Sequence, residues 1–414
     1  MNKPIQCVVL DEDICNGCIH CIKCCPTEAI RVKNQKAVIT PERCITCGEC
    51  IRVCPSHAKK ALRDPLEIID GFKYKVALPH PALYAQFNNL EDKTTVLRAL
   101  LDYGFDEVFE VAAASETVTE MTRRLISEKK AVLPIISSTC PAVIRLIRLR
   151  FPNLIKNISP LYAPREVAAS TALLAAMNKT LMPREDIGII LIAPCPGQVA
   201  SVRVPLGFEK SGIDAVIAIS DIFPKMPELM KNADITEAIG TQFSIAGRVG
   251  ASWGSTGGEA KGILSDNCLS ADGIENVIKV LSDLEDERFQ NLDFIELTAC
   301  PGGCVGGMLT VENPYIARVK LAKLRKYLPV SGTRLDDIEI NTLFRDGEIE
   351  YLPAFNLSDN ISESIRLMDE LDEILKTLPN LDCGCCGSPT CRAFAEDIVR
   401  GGEGKCIYSL IKGT

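Results

Sequence analysis

The chain has 414 residues, 47% hydrophobic and 24% charged, with a formal net charge of −8. That length buries a sizeable core in roughly two to four domains. The acidic balance argues against nucleic-acid binding, no apolar run is long enough for a membrane span, and the absence of a signal peptide leads us to expect a cytoplasmic protein. Twenty cysteines in such a chain point to metal rather than to disulfides.

The first elements are two cysteine runs. "CNGCIHCIKCCP" places cysteines at 15, 18, 21 and 25, and "CITCGECIRVCP" places them at 44, 47, 50 and 54. Both read C-x2-C-x2-C-x3-C-P, an internal repeat. Three thiolates of one run grip one 4Fe–4S cube, and the fourth, before proline, reaches the other. Cluster one therefore takes Cys15, Cys18, Cys21 and Cys54; cluster two takes Cys44, Cys47, Cys50 and Cys25. Zinc knuckles are the competing reading, which the doubled run with both prolines disfavours. Cys7 and Cys24 are left over as structural residues, and His20 reads as a hydrogen-bonding neighbour. The segment resembles the bacterial two-cluster ferredoxins and is taken as an α+β domain over residues 1–65.

The middle, 66–350, alternates strand-like runs ("KAVLPIISS", "DIGIILIAP", "DAVIAIS") with helical patterns ("TTVLRALLDYG", "ETVTEMTRRLISE", "PREVAASTALLAAMN", "GIENVIKVLSDLEDE"). Such alternation predicts parallel sheets covered by helices, with ligands at the carboxyl ends of strands. Cys140, Cys195 and Cys300 fall at those ends, each followed by proline, and Cys304 lies one turn beyond Cys300. Proline suits the first turn of a helix, whose free N–H groups favour an anion such as a thiolate-bound cluster. The glycines of "ELTACPGGCVGG" would let backbone approach something bulkier than one ion.

These loops resemble the signature loops of the iron–iron (FeFe) hydrogenases. "SSTCPAV" sits where that family has T-S-C-C-P-x-W, "IAPCPGQVAS" where it has M-P-C-x-x-K-x-x-E, and "ELTACPGGCVGG" where it has E-x-M-x-C-x-x-G-C-x-x-G-G-G; "SWGSTGGEA" echoes its "FGATGG". The resemblance implies an α/β, two-lobed catalytic domain with parallel sheets flanked by helices. It implies the H-cluster, a 4Fe–4S cube on Cys140, Cys195, Cys300 and Cys304, bridged by Cys304 to a di-iron subcluster with CO, cyanide and azadithiolate. Its partners would be H2 and protons, hydrogenase maturases, and a redox partner such as ferredoxin or a signalling protein.

Departures from the family pattern matter as much. Thr139 stands where active members carry a proton-relaying cysteine, Ala193 and Thr298 replace two methionines, and Gln198 replaces a lysine that hydrogen-bonds cyanide. A threonine hydroxyl does not ionise near neutral pH. The set resembles the sensory branch, which implies low turnover and H2 sensing. Met121 and Arg124 align with two relay glutamates, so proton transfer is reassigned to Glu259 and Glu296, each with a salt-bridged or solvated carboxylate as the competing reading. His57 and His80 lie outside the loops, and Trp253 reads as core or pocket wall.

The tail, 351–414, starts with a helix whose stripe is Ile361, Ile365, Met368, Leu371, Leu375 and Leu378. "LDCGCCGSPTCRAFAEDIVRGGEGKC" follows, offering Cys383, Cys386, Cys391 and Cys406 around a short helix, with Cys385 spare. It resembles a small helical domain binding one 4Fe–4S cluster, as in the B subunit of the Rnf complex; that spacing favours Cys386 over Cys385. A redox dithiol or zinc site is the alternative. For the whole chain, the expected function is reversible conversion of H2 to two protons and two electrons, relayed through 4Fe–4S clusters. The alternative is a hydrogenase-like iron–sulfur protein without the di-iron unit, serving cluster assembly or electron transfer.

Overall fold

The computed structural model describes residues 7–232, 245–332 and 340–408. They divide into two compact units, one from Met1–Ala61 with Tyr351–Thr414 and one from Leu62–Glu350.

In the first unit, β1 (Val8–Leu10) pairs antiparallel with β4 (Lys59–Ala61), and β2 (Ile30–Lys33) with β3 (Lys36–Ile39). One-turn helices α1 (His20–Lys23) and α2 (Glu49–Arg52) carry the third cysteine of each run, Cys21 and Cys50. The spacing of the runs leaves room for no longer helix.

The second unit is α/β, as the alternation predicts. β5 (Tyr74–Pro79), α3 (Thr94–Tyr103), β6 (Glu107–Val108), α4 (Val111–Ser127), β7 (Ile135–Ile136), α5 (Pro141–Arg150), α6 (Pro164–Thr180), β8 (Ile187–Ala193), α7 (Pro196–Arg203) and β9 (Ala215–Ala218) follow in order. After the short helices α8 (Ile219–Ile222) and α9 (Met226–Asn232) come α10 (Arg248–Ser252), α11 (Gly258–Ile263), β10 (Cys268–Asp272), α12 (Ile274–Glu285), β11 (Phe294–Thr298) and α13 (Pro314–Arg325). One parallel sheet has order β6-β5-β8-β9, the other β10-β11-β7. Every residue of β8 is buried, the signature of a strand covered on both faces. A core of Ala77, Leu97, Leu100, Ile190, Ile192 and Ile217 covers the first sheet, and Cys304 packs against the edge of that core. β7 is shorter than "KAVLPIISS" suggests. Pro134 cannot donate to a ladder, so pairing starts at Ile135.

The tail holds α14 (Ile361–Thr377) and α15 (Cys391–Val399) and packs on the N-terminal segment. Val32 N–H donates to Gly387 O at 2.8 Å, extending β2 onto the cysteine loop. Arg31 Nε meets Asp397 Oδ2 at 2.6 Å, and Arg43 forks onto both oxygens of Glu396. The Arg43 guanidinium also lies 4.7 Å from the Phe355 ring centroid. Both arginines are buried. The α14 stripe read from sequence holds only in part: Leu371 is buried as expected, but Leu367, off the stripe, is buried too and Ile361 is 79% exposed, because α14 turns its adjacent face to α15. Among the described residues no helix is long and apolar enough to cross a membrane.

Candidate functional site

The loops after β7, β8 and β11 bring Cys140, Cys195, Cys300 and Cys304 together in the second unit. Cys140 and Cys195 are the N-caps of α5 and α7, with Pro141 and Pro196 at the first helical position. Backbone N–H groups of Ala299, Val143 and Ala142 point at the Cys140 sulfur, and those of Gln198 and Gly197 at Cys195. This is the anion-favouring helix terminus the prolines predict. Pro301 differs: it sits in a turn, and Cys304 opens a short 3-10 turn, so Cys300 and Cys304 do not share a helix. Burial pushes the Cys195 thiol up to about 11, with neighbouring Cys140 adding to it. Burial, then Cys195, Cys140 and Cys300, raises Cys304. Four thiols in mutual electrostatic reach, Cys300 buried and the other three partly buried, are a costly arrangement without a metal to take their protons' place.

The glycines serve the backbone rather than open space. Gly303 has φ +90, and a Cβ there would stand 2.5 Å from Thr256 N; at Gly307 it would stand 2.2 Å from Pro194 O. The glycines thus let the β11 loop pack against the "GSTGG" loop and the β8 loop.

Thr139 Oγ1 lies 3.4 Å from Glu259 Oε2, which accepts the Ser137 hydroxyl at 2.6 Å. Glu259 starts α11 and is buried; burial first, and Glu296 second, hold its carboxyl well above the usual range. Glu296, on β11, accepts Gly257 N–H and Ala260 N–H at 2.9 Å each, and burial pushes it up to about 7. Two buried carboxyls this close share protons as a pair. Two other buried carboxylates are saturated: Glu110 takes Lys93, Tyr84 and two backbone N–H groups, and Glu116 takes three backbone N–H groups and Ser331. Met121 is buried in α4 and Arg124 pairs with Glu120, so neither position supplies a carboxyl.

Arg165 escaped sequence reasoning, and His80, read from the sequence as outside the loops, lies beside Thr139. Arg165, in the first turn of α6, is buried and in electrostatic reach of Cys195, Cys140 and Cys304. His80 lies with Thr139, Arg165, Gln198, Ser115 and Trp253 around a cavity of about 10 Å³. Its Nδ1 accepts Ala82 N–H at 3.1 Å, and burial, then Arg165, pushes its pKa down to about 3. The ring is therefore neutral, with its hydrogen on Nε2. Gln198 is buried and its Oε1 has no partner. The signal for Arg165 was the "APRE" helix start; nothing local marked its direction.

In the first unit, Cys21 lies in electrostatic reach of Cys18, Cys15 and Cys54, and Cys47 in reach of Cys25, Cys50 and Cys44. Cys383, Cys385, Cys386, Cys391 and Cys406 line one cavity of about 190 Å³, together with Phe394. Among the described residues no three His, Cys, Asp or Glu side chains converge on a single ion. A cube carries its irons at separate corners, so its thiolates stand wider apart than those around one zinc.

The family model "Iron only hydrogenase large subunit, C-terminal domain" matches residues 73–268 and 259–308. A 4Fe-4S dicluster model matches 7–55, and an Fe-S cluster model matches 378–408. Iron hydrogenase 1 of Clostridium pasteurianum is 24% identical over 283 residues, 56% of this chain and 48% of that protein. The NADP-reducing hydrogenase subunit HndD of Solidesulfovibrio fructosivorans is 23% identical over 349 residues, 72% of this chain and 56% of that protein. The chain thus spans about half the length of these curated relatives. A solved [FeFe]-hydrogenase, from work on oxygen inactivation of its H cluster, aligns at TM-score 0.51 and 16% identity, covering 67% of this chain and 94% of that one. That likeness concerns the fold alone. Because the hydrogenase model spans more than half of the sequence and includes all four central cysteines, the chain belongs to the iron-only hydrogenase large-subunit family.

Proposed function

We propose that the protein is an iron–iron hydrogenase of low turnover, interconverting H2 with two protons and two electrons. The observation that carries this reading is the convergence of Cys140, Cys195, Cys300 and Cys304 from three strand ends inside the family domain. Their four thiols fit a 4Fe–4S cube. The unpartnered Oε1 of Gln198 is a buried polar atom that a further bound group would satisfy. A di-iron unit on Cys304, when bound, supplies the site where H2 is split or formed. Arg165 provides a fixed cation beside that anionic group, and His80 an Nε2–H donor.

Protons leave by the chain's own carboxyls. Thr139 orients a hydrogen bond to Glu259, Glu259 holds the proton, and Glu296, with a pKa of about 7, passes it toward Lys261 at the surface. Glu259 suits this role because it accepts only hydroxyls, with no cation or backbone N–H to fix its charge. Cys15, Cys18, Cys21 and Cys54, then Cys44, Cys47, Cys50 and Cys25, and in the tail Cys383, Cys386, Cys391 and Cys406 would each hold a 4Fe–4S cube, which would supply a one-electron carrier. A ferredoxin or a signalling protein would then receive the electrons.

The tight cavity at Thr139 favours a second reading, a cube-only iron–sulfur protein of the same family. About 10 Å³ holds roughly one water, so a di-iron unit must displace side chains. Infrared spectroscopy of protein matured with hydrogenase maturases decides. CO and cyanide stretching bands are expected; their absence, with cube iron present, selects the cube-only reading.

A further inference from the structure

A second cavity, of about 40 Å³, lies behind the Cys140 loop and is lined by Ser138, Arg145, Arg165, Ser201, Phe208 and Arg345 among others. Three arginines line it, and among the described residues no carboxylate does. Each arginine is held from outside the cavity. Arg145 Nη2 donates to Ala200 O and Val204 O at 3.1 and 3.0 Å. Arg345 Nη2 donates to Ser159 O at 2.6 Å. Arg165 Nη1 reaches Thr139 O at 3.4 Å, and its Nε lies 3.4 Å from Glu166 Oε1 without hydrogen-bond alignment. Glu166 is itself fixed by the Ser211 hydroxyl at 2.8 Å.

What remains is unspent donor capacity. Arg345 Nε and Nη1, and Arg165 Nε, are buried without a hydrogen-bond partner. Arg165 is 93% buried by its side-chain exposure of 7%. Buried cations normally sit with anions, because an uncompensated charge out of water is expensive. Glu166 pairs with Arg165, and among the described residues no carboxylate meets Arg345. A planar oxyanion would accept the forked N–H groups in the geometry that arginine offers best. Size narrows the class. One water needs roughly 10–15 Å³ on this measure, so the cavity admits a ligand of about three or four heavy atoms.

We propose that this cavity is a binding site for a compact planar oxyanion of the formate or bicarbonate class, held by Arg145, Arg165 and Arg345. The inference stands on the cavity alone and does not require hydrogenase activity. Its position gives it a consequence: Arg165 also walls the cavity at Thr139 and Gln198, so an anion on one side draws on the guanidinium that faces the cluster cysteines on the other.

Isothermal titration of the full-length, cluster-loaded protein with sodium formate tests the site, with sodium chloride at equal ionic strength as reference. Saturable formate binding beyond that of chloride is expected. Arg345→Gln should weaken it about tenfold or more, the worth of a charge-assisted hydrogen bond, while Arg345→Lys keeps part of it. Glutamine can still donate to Ser159 O, and Arg145→Gln provides a second variant should Arg345→Gln lose its fold. Inorganic phosphate, larger than the cavity, should not bind. Formate heats equal to chloride, unchanged affinity in both glutamine variants, or phosphate binding as tight as formate would overturn the assignment.

Discussion

The two units build metal sites in opposite ways. In the first, ligands sit two or three residues apart on short loops, so spacing alone nearly determines the geometry. In the second, Cys140, Cys195 and Cys300 come from loops after three different strands and meet only because two parallel sheets hold those strand ends together. A local site depends on its own loop; a site made by sheets depends on the whole unit. The difference teaches where each is vulnerable, and substitutions can separate the two.

The largest effect is expected at the bridge. Cys304→Ser should remove the central cube, and any di-iron unit with it, while the N-terminal and tail cubes remain. Iron analysis should then fall from about sixteen cubane irons per chain toward about twelve, at four irons per cube. Equal iron loss from every site would show that the units do not load independently.

Next comes the clasp that closes the first unit. Glu396→Ala leaves Arg43 buried beside Phe355 without its carboxylate. Removing one partner of a buried pair costs about 3–5 kcal/mol. Calorimetry should show that loss in one transition only, with the second unit melting as before. Deletion of residues 351–414 should do the same to Arg31 and Arg43 together and still spare the central cluster.

Smaller, and confined to the second unit, is Glu259→Gln. Hydrogen turnover should fall by about 10², the low end for a positioned proton carrier, with an unchanged infrared spectrum. The pH dependence of stability follows with a definite sign. Glu296 titrates near 7 in the folded state against 4.5 in the unfolded one, and Glu259 is also raised. Their protonated forms stabilise the fold fully below about pH 4.5, and that contribution is lost as pH rises through about 7. Melting of the second unit should drop across that window, and Glu259→Gln should flatten the drop. The smallest change is Thr139→Cys, expected to raise turnover by less than about tenfold, since Glu259 already serves the path. A large gain, with Glu259→Gln silent, would return proton transfer to the thiol route.

The contrast also explains what the sequence could disclose. A continuous apolar run exposed β8, period-3.6 patterns exposed α3, α6 and α12, and strand-end cysteines marked the central site, because those signals are local. Arg165 and His80 were not legible: each reaches the site through the packing of α6 or of β5 against loops far away in sequence. The exposed side of α14 was misread for a related reason. Its periodicity offers two adjacent stripes, and only contact with α15 chooses between them. Nor did any residue announce that the tail returns to the N-terminal segment, where Asp397 and Glu396 pair with Arg31 and Arg43.

That return has a consequence for how the protein is made. The cysteine runs of the first unit are translated before the second unit, whereas Glu396 and Asp397 lie 353 and 366 residues after Arg43 and Arg31, roughly 20–70 s later at 5–20 residues per second. Through that interval Arg31 and Arg43 stay in water, and the nascent ferredoxin-like segment waits, half built, for carboxylates still to be translated.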